Sequence, residues 1–276
     1  MIQALREHWP EYLMEASLLG LFMISAGMFG TLLEYPDSPV RQMIGNPLLR
    51  RVIMGLVMGS TAIILIYSPW GQQSGAHFNP AVTLTFLRLG KVAKWDAVFY
   101  IIAQFIGGLA GVLIVKIILD LRFTEPPVLY VATLPGPAGE WVAFIAEVVI
   151  SFGLMTMILF ATNSKRLHRF TGIFAGILVA SYIAIEAPIS GMSMNPARTF
   201  ASALPSGLVS LLWIYFTAPV IGMLLAVEMY RAIRKTYRVV CAKINHHTTR
   251  RCIFSHCLYP QMMSPDADKS EERSNP

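Results

Sequence analysis

Two stretches of the chain share a pattern: residues 74–85 read SGAHFNPAVTLT, and residues 190–200 read SGMSMNPARTF. Both contain S-G-x-x-x-N-P-A, and a second match to these letters by chance in one chain has a probability of about one in a thousand or less. Asn before Pro is common at a helix start, because the Asn side chain caps the first turn and the missing N–H of Pro costs nothing there. The repeat therefore predicts two helices, which begin at Pro80 and Pro196.

The residues that follow predict that both helices are short. The first covers residues 80–88, and the second covers residues 196–204 and then meets the turn-forming residues 205–207. A helix that spans a bilayer needs about 20 residues, so each is a half-helix. Irregular backbone at membrane depth is tolerated only where it is buried in protein or lines a cavity. The segment before each half-helix is therefore predicted to line a cavity.

The composition is that of a membrane protein. Hydrophobic residues make up 55% of the chain and charged residues 14%, against roughly 25% charged in soluble domains. The first apolar stretch lacks the short core and cleavage site of a signal peptide, so it is predicted to be retained. Six stretches are long enough to span a bilayer: residues 12–33, 52–70, 97–115, 141–163, 170–185 and 208–227.

The spans repeat in order. Glu15 in the first span corresponds to Glu147 in the fourth, and Gly59 in the second to Gly176 in the fifth. Three spans per half force the second half to be inverted in the membrane, so the two half-helices meet N-terminus to N-terminus at the midplane. The predicted fold is an all-α membrane protein with six transmembrane helices and two re-entrant half-helices. Its parts are a first repeat (1–119), a connecting loop (120–139), a second repeat (140–232) and a basic, disordered tail (233–276).

The distribution of Lys and Arg predicts the topology. They cluster in residues 88–94, 165–169 and 231–251, which six spans put on one side with the N-terminus. The positive-inside rule makes that side the cytoplasm. We expect a multi-pass protein with both termini cytoplasmic, and a short chain without targeting features suits a prokaryotic inner membrane. The basic tail favours contact with lipid headgroups over nucleic acid, which is not an expected partner.

The tail also holds residues that bind metals in other proteins. These are all three cysteines of the chain and three histidines: Cys241, Cys252, Cys257, His246, His247 and His256. They could form a metal cluster, and disulfides are not expected on the cytoplasmic side. The spacing, however, matches no standard zinc pattern. The sequence therefore favours a flexible tail without a metal, and no cofactor is expected.

The meeting point of the half-helices predicts a pore. Two helix N-termini place about half a positive charge each at that point, which repels cations and protons. Asn79 and Asn195 offer amide donors there, and residues 74–78 and 190–194 can offer backbone carbonyl acceptors. Such a lining suits small neutral molecules that form hydrogen bonds. Arg198, one turn into the second half-helix, adds a full charge and is predicted to act in a filter.

Three further polar residues are predicted to support the pore. Glu15 and Glu147 are interpreted as buried acceptors that anchor the two re-entrant segments, because an ionisable group at membrane depth needs polar partners. A proton relay through this pair is the alternative. His77 is predicted to hold a loop carbonyl in place, since no second metal ligand lies near it in the sequence.

At these residues the chain resembles the aquaporin, or major intrinsic protein, family of channels. The resemblance covers about residues 11–231. It rests on the two N-P-A boxes, the S-G-A-H before the first box, the Arg after the second, A-Q-F-I-G-G at 103–108 and the paired glutamates. It implies a homotetramer with one pore per subunit, water in single file and exclusion of protons.

The resemblance also implies which residues form the filter. Asn79 and Asn195 match the central asparagines and Arg198 matches the filter arginine, while counting back from Asn195 gives Ile183 and Met192 as further filter positions.

In span two, strict counting from the first N-P-A box gives Gly59 as the filter residue. The turn at residues 69–73 looks one residue longer than usual. The family has a glycine in this span that packs against another span, and Gly176 matches the equivalent glycine in the other half. If Gly59 is aligned with that packing glycine, the filter residue becomes Met58, which we prefer.

This filter departs from the strict water channels, which carry a His at the place of Ile183 and an aromatic residue at the place of Met58. An apolar filter is more similar to archaeal or plant nodulin-type members. Residues that favour the water type are Thr199, Ala203, Tyr215 and Phe216.

The predicted function is a passive channel, not an enzyme, for water and small uncharged solutes such as glycerol. Protons and ions are excluded. The alternatives are a glycerol or metalloid facilitator with low water selectivity and a secondary transporter, which can also have inverted repeats and broken helices. An intramembrane enzyme would need a catalytic pair at spanning depth, such as Ser and His, and none is visible.

Overall fold

The computed structural model describes residues 1–233, 239–246 and 250–262. Within these residues the regular secondary structure is helical, and six helices are long and apolar enough to cross a membrane. Spans 1 to 6 are Ile2–Glu34, Pro47–Tyr67, Lys94–Leu119, Glu140–Thr162, Thr171–Ile185 and Leu212–Ile233. The first half-helix is Pro80–Arg88 and the second is Pro196–Ser206. The predicted all-α fold, an integral multi-pass membrane protein, is confirmed.

Each half-helix begins at its N-P-A box. The Oδ1 atom of Asn79 accepts a hydrogen bond from the backbone N–H of Ala81 at 2.9 Å, and Asn195 Oδ1 accepts one from Ala197 at 3.1 Å. The second half-helix ends two residues later than predicted. Its end is set by Gly207, whose φ of 76° forms a left-handed C-cap.

The spans pack in pairs. Span 1 packs on span 3, and span 4 packs on span 6, as the internal repeat requires. Span 2 packs on span 5 and so joins the two halves. A Cβ atom on Gly59 would lie 2.4 Å from the carbonyl oxygen of Gly176, and one on Gly176 would lie 2.6 Å from that of Gly59. Only glycine fits at both positions, so this pair sets how closely the two halves approach.

The described tail residues pack against one face of the helix bundle, which we call the tail face. The backbone N–H of Ser255 donates to the carbonyl oxygen of Lys91 at 2.9 Å, and that of Val240 donates to Asn163 Oδ1 at 2.6 Å. The other end of the bundle is called the opposite face.

The prediction of a disordered tail is therefore wrong for residues 239–246 and 250–262. Most of residues 239–246 are buried, and the N–H of Leu258 donates to the carbonyl oxygen of Val240 at 2.8 Å. Contacts with the bundle order these stretches without any helical or strand periodicity that a sequence pattern could reveal. The remaining tail residues, 234–238, 247–249 and 263–276, lie outside the described part of the chain.

Candidate functional site

A cavity of about 370 Å³ lies between the two halves. Glu34 and Arg51 line it at the opposite face, and Ile158 and Ile244 line it at the tail face. Both re-entrant segments contribute to its wall between these ends. The repeat-derived prediction that these segments line a cavity agrees with this arrangement.

Glu15 holds the first re-entrant segment from span 1. Its Oε1 atom accepts hydrogen bonds from Ser74 Oγ at 2.7 Å and from the backbone N–H of His77 at 3.0 Å. Its Oε2 atom accepts from the N–H of Phe78 at 2.6 Å and from Gln104 Nε2 at 2.8 Å. The carboxylate is fully buried, so these four donors satisfy a group that would otherwise be costly at this depth.

Glu147 holds the second segment from span 4 in the same way. Its Oε1 atom accepts from Ser190 Oγ at 2.8 Å and from the N–H of Ser193 at 2.6 Å, and its Oε2 atom accepts from the N–H of Met194 at 2.7 Å. In a trans peptide the N–H and the preceding C=O point in opposite directions. Because the two glutamates bind the N–H groups, they turn the adjoining carbonyls away from themselves.

A pair of tyrosines supports the same segments, and the sequence reasoning did not find it. The hydroxyl of Tyr100 in span 3 donates to the carbonyl oxygen of Ser74 at 2.6 Å, and the hydroxyl of Tyr215 in span 6 donates to that of Ser190 at 2.6 Å. The resemblance to water channels concerns only the aromatic ring of Tyr215 and does not predict this hydrogen bond. Tyr100 lies 26 positions after Ser74, and Tyr215 lies 25 positions after Ser190. This near-match between the halves is a repeat signal that could have revealed the pair.

The two asparagines bind each other's segments. Asn79 Nδ2 donates to the carbonyl oxygen of Met194 at 2.7 Å, and Asn195 Nδ2 donates to that of Phe78 at 2.8 Å. An amide nitrogen has two hydrogens, so each asparagine keeps a second hydrogen for another acceptor. Both residues line the cavity, so a solute in the cavity is within reach of that second donor.

The cavity wall distinguishes the two candidate residues of span 2. Met58 lines the cavity, together with the other predicted filter residues Ile183, Met192 and Arg198. Gly59 instead faces span 5, as its contact with Gly176 requires. The wall at this level is therefore apolar except for the arginine.

Arg198 is held by the loop that connects the two halves. Its Nη1 atom donates to the hydroxyl of Thr133, which is buried. The same loop covers the second re-entrant segment, since the N–H of Gly136 donates to the carbonyl oxygen of Ile189 at 2.9 Å. No sequence pattern marked Thr133, because it lies in an irregular loop far from the repeat.

His77 contacts the tail. Its ring nitrogen Nε2 lies 2.8 Å from the carbonyl oxygen of Ala242 and therefore donates a hydrogen to it, while Nδ1 lies 3.2 Å from Thr83 Oγ1. The prediction was that His77 would hold a loop carbonyl in place. The carbonyl that it contacts belongs to the tail, and the ring of Phe254 stacks on the imidazole at a centroid distance of 5.4 Å.

The tail covers the tail-face end of the cavity. The N–H of Ile244 donates to the carbonyl oxygen of Gly75 at 3.0 Å, and Ile244 itself lines the cavity. Lys243 is buried beside it, and its Nζ atom donates to the carbonyl oxygen of Gln72 at 2.8 Å. Burial lowers the pKa of Lys243, because the ammonium loses hydration.

These features define a class of protein: a multi-pass α-helical membrane protein whose inverted repeat builds one central cavity from two capped half-helices. Residues 5–230 match the major intrinsic protein family. The chain belongs to this family.

Comparison with individual proteins agrees with this assignment. The chain is 37% identical over 179 residues to a putative aquaporin NIP4-1 of Arabidopsis thaliana and 36% identical over 177 residues to aquaporin NIP2-2 of Zea mays. The alignments cover 64% of this chain in both cases, but 61% and 58% of the two relatives. The matched region is thus about three fifths of each relative's length. These relatives are plant proteins, so they give no support to the expected prokaryotic membrane.

A solved structure shares the fold. The X-ray structure of the aquaglyceroporin from Plasmodium falciparum superposes with a TM-score of 0.65 over 81% of this chain and 96% of that chain, at 18% sequence identity.

Proposed function

We propose that the protein is a passive transmembrane channel for water and small uncharged solutes such as glycerol, and that it excludes protons and ions. The observation that carries this proposal is the cavity with two half-helix N-termini at its centre, capped by Asn79 and Asn195. Neutral molecules can exchange hydrogen bonds there, whereas two partial positive charges and the Arg198 guanidinium repel cations.

The filter residues support passage of solutes larger than water. Met58, Ile183 and Met192 offer apolar surface, which suits a carbon backbone and supplies no strong hydrogen-bond partner to a water molecule that loses its hydration. Methionine is also unbranched and flexible, so the effective width can adapt. The names of the similar proteins, aquaporin and aquaglyceroporin, agree with this substrate class.

Two further points belong to this proposal. The protein forms a homotetramer with one pore per subunit, as expected for the family. The tail face lies in the cytoplasm, because the basic clusters at residues 88–94 and 165–169 are on that face with the tail. Cross-linking of the detergent-purified protein tests the first point, and protease access to the tail in sealed vesicles of known orientation tests the second.

The function is tested by stopped-flow light scattering of proteoliposomes, first under a sucrose gradient and then under a glycerol gradient. Ala187 lines the cavity near the opposite face, so Ala187→Trp should block both fluxes. Ile189→Trp is the matched control, because Ile189 is exposed and lies outside the cavity wall. Protein-dependent water flux that disappears in Ala187→Trp alone supports the channel. Flux equal to that of empty liposomes, both as purified and after treatment with a chelator that removes any metal bound by the tail cysteines, overturns it.

The measurement under the glycerol gradient distinguishes the proposed channel from the two alternative functions. A facilitator with low water selectivity would give rapid glycerol swelling with little water flux. A secondary transporter would give flux that saturates and depends on an ion gradient. The proposal expects both water and glycerol to pass without any ion gradient.

A further inference from the structure

The tail brings four metal-binding side chains together. The Sγ atoms of Cys241, Cys252 and Cys257 and a ring nitrogen of His246 all lie within 4.8 Å of one another. The Sγ atoms of Cys241 and Cys252 are 3.5 Å apart, and Cys257 Sγ is 3.2 Å from His246 Nε2. A tetrahedral zinc ion bound by three thiolates and one imidazole separates its ligand atoms by about 3.5 to 3.8 Å, given Zn–S of about 2.3 Å and Zn–N of about 2.0 Å.

The spacing that argued against a metal site is explained by this geometry. The four residues are five or six positions apart along the chain, and the tail folds back so that they face one point. Of the other two tail histidines considered, His256 is not part of the group, and residue 247 lies outside the described part of the chain.

Backbone groups around two of the cysteines suit bound thiolates. The backbone N–H groups of Phe254 and Tyr259, two positions after Cys252 and Cys257, lie near these thiols and favour their thiolate forms. Hydrogen bonds of this kind orient the ligands and favour the thiolate. The imidazole of His246 is held against the ring of Tyr259, with centroids 4.0 Å apart.

A positive charge near the cluster complements the negative charge that a zinc ion bound by three thiolates would have. Three thiolates and one divalent ion carry a net charge of −1. Lys243, only 2% exposed, lies two positions after Cys241, and its Nζ atom donates to the carbonyl oxygen of Arg251, the residue before Cys252, at 2.5 Å. A buried ammonium is costly unless an anionic group is near, so the lysine and a thiolate-bound metal stabilise each other.

The tail also needs a source of stability other than regular structure. Its described stretches contain a single short helix, Tyr259–Met262. A unit of fewer than about 40 residues rarely builds a sufficient core and is commonly held by a metal or by disulfides. Here the thiols are free, and soft thiolates with an imidazole favour zinc.

We propose that Cys241, His246, Cys252 and Cys257 bind one Zn²⁺ ion, and that this ion holds the tail over the tail-face end of the cavity. The first part stands on the cluster alone. The second part implies that the metal limits flux through the cavity, and it rests on the proposed channel function.

The ligands are directly linked to the residues that close the cavity. Ala242, which accepts the hydrogen bond from His77, follows Cys241. Ile244, which lines the cavity, lies two residues before His246. Phe254, which stacks on His77, lies two residues after Cys252. Loss of the metal therefore loosens these three contacts, which hold the tail over the end of the cavity.

Metal binding is tested on the full-length protein, purified in detergent after removal of any affinity tag. Elemental mass spectrometry should find one zinc per chain, and Co²⁺ exchange should give the intense absorption bands of thiolate-bound cobalt. Cys252→Ser should lower metal affinity by about 10-fold or more. His246→Cys should retain zinc, with an altered cobalt spectrum, because it supplies a fourth thiolate. His256→Asn is the matched control, since it removes a neighbouring imidazole outside the cluster and Asn tolerates the positive φ at this position.

Two results would overturn the metal site. One is a zinc content equal to that of a protein-free detergent blank. The other is a disulfide between two of the three cysteines, found by mass analysis under non-reducing conditions. Retention of zinc by His246→Cys shows that the site tolerates replacement of a ligand by another ligand, and an unchanged elution volume of Cys252→Ser in size-exclusion chromatography shows that this variant folds, so its loss of zinc reports on ligation.

Flux is tested separately in proteoliposomes. A strong zinc chelator should raise the water permeability of the parent protein several-fold, and added Zn²⁺ should reverse the rise. Cys252→Ser should start at the high value and not respond. Zinc-loaded protein whose permeability is unchanged by the chelator would overturn the role of the metal in closure. Absence of flux under every condition would overturn the channel function and leave the measured zinc content as independent evidence.

Discussion

The two re-entrant segments, residues 74–79 and 190–195, are anchored alike but are covered by different parts of the chain. Each is anchored by one glutamate from the first span of its half and one tyrosine from the third. The first is covered by the tail, through His77. The second is covered by the connecting loop, whose Thr133 holds Arg198. The repeat therefore builds the centre of the cavity, and two segments outside the repeat complete its ends.

Matched positions show how the ends differ chemically. Three residues after Asn79 stands Val82, and three after Asn195 stands Arg198; both line the cavity. At the position of His77 in the first segment the second has Ser193, whose hydroxyl donates to the nearby carbonyl oxygen of Asn195. One end thus carries a fixed charge, and the other carries apolar side chains and a contact with the tail.

The largest expected effect concerns the anchors. Glu15→Gln should destabilise the protein more than Glu147→Gln, because each oxygen of Glu15 accepts two donors, whereas Oε2 of Glu147 accepts one. Each buried donor that loses its acceptor costs about 1 to 3 kcal/mol. Thermal unfolding of the two variants in detergent measures the difference. Equal midpoints would show that the anchors are energetically equivalent, and unchanged folding with altered proton flux would support a relay.

The next effect concerns the charged end. Arg198→Val gives the second half-helix the residue type that the first has at Val82, and it should raise proton leak and glycerol flux. Two unit charges about 4 Å apart repel by about 4 kcal/mol at an effective dielectric constant of 20, so we expect a rise in leak of about tenfold or more. A pH-sensitive dye inside proteoliposomes measures it. Arg51→Ala is the control, because it removes a positive charge from the same cavity nearer the mouth. An equal leak in both variants would contradict a special role for Arg198.

A smaller effect is expected at the covered end. Phe254→Ala removes the ring that stacks on His77 and so weakens the contact between the tail and the first re-entrant segment. The tail should then detach more often, so water permeability should rise while the water-to-glycerol ratio stays the same. Phe170→Ala, on the same face but partly exposed, should leave permeability unchanged. Faster proteolysis of the tail in Phe254→Ala without any gain in permeability would show that the tail does not limit flux.

The smallest effect concerns selectivity. Ile183→His adds hydrogen-bond donors and narrows the apolar wall, so it should reduce glycerol flux much more than water flux. Ile183→Val is the control, because it shortens the side chain without adding a polar group and should not reduce glycerol flux. Stopped-flow measurements of the same liposomes under both gradients give the ratio. Equal loss of both fluxes, or no glycerol flux in the parent protein, would contradict the assignment of Ile183 to the filter.

Most of the central architecture could be predicted from the sequence because it follows from local chemistry and from the repeat. The N-P-A boxes specify capped helix starts, apolar stretches specify spans, and the odd number of spans specifies inversion. The choice between Met58 and Gly59 needed a packing argument, because it depends on which side of span 2 faces span 5. The ends of the helices were less predictable, as the extension to Ser206 illustrates.

The sequence by itself determined the fold class, the family and the residues at the centre of the cavity, since each of these depends on short-range patterns that occur twice. Only the tertiary structure decided how the cavity ends. The contact of Arg198 with Thr133 spans 65 positions and that of His77 with Ala242 spans 165. The cluster of Cys241, His246, Cys252 and Cys257 could likewise not be predicted from the positions of these residues in the sequence. Side chains in irregular segments meet because the chain folds back on itself, and no periodicity records where such segments come to lie.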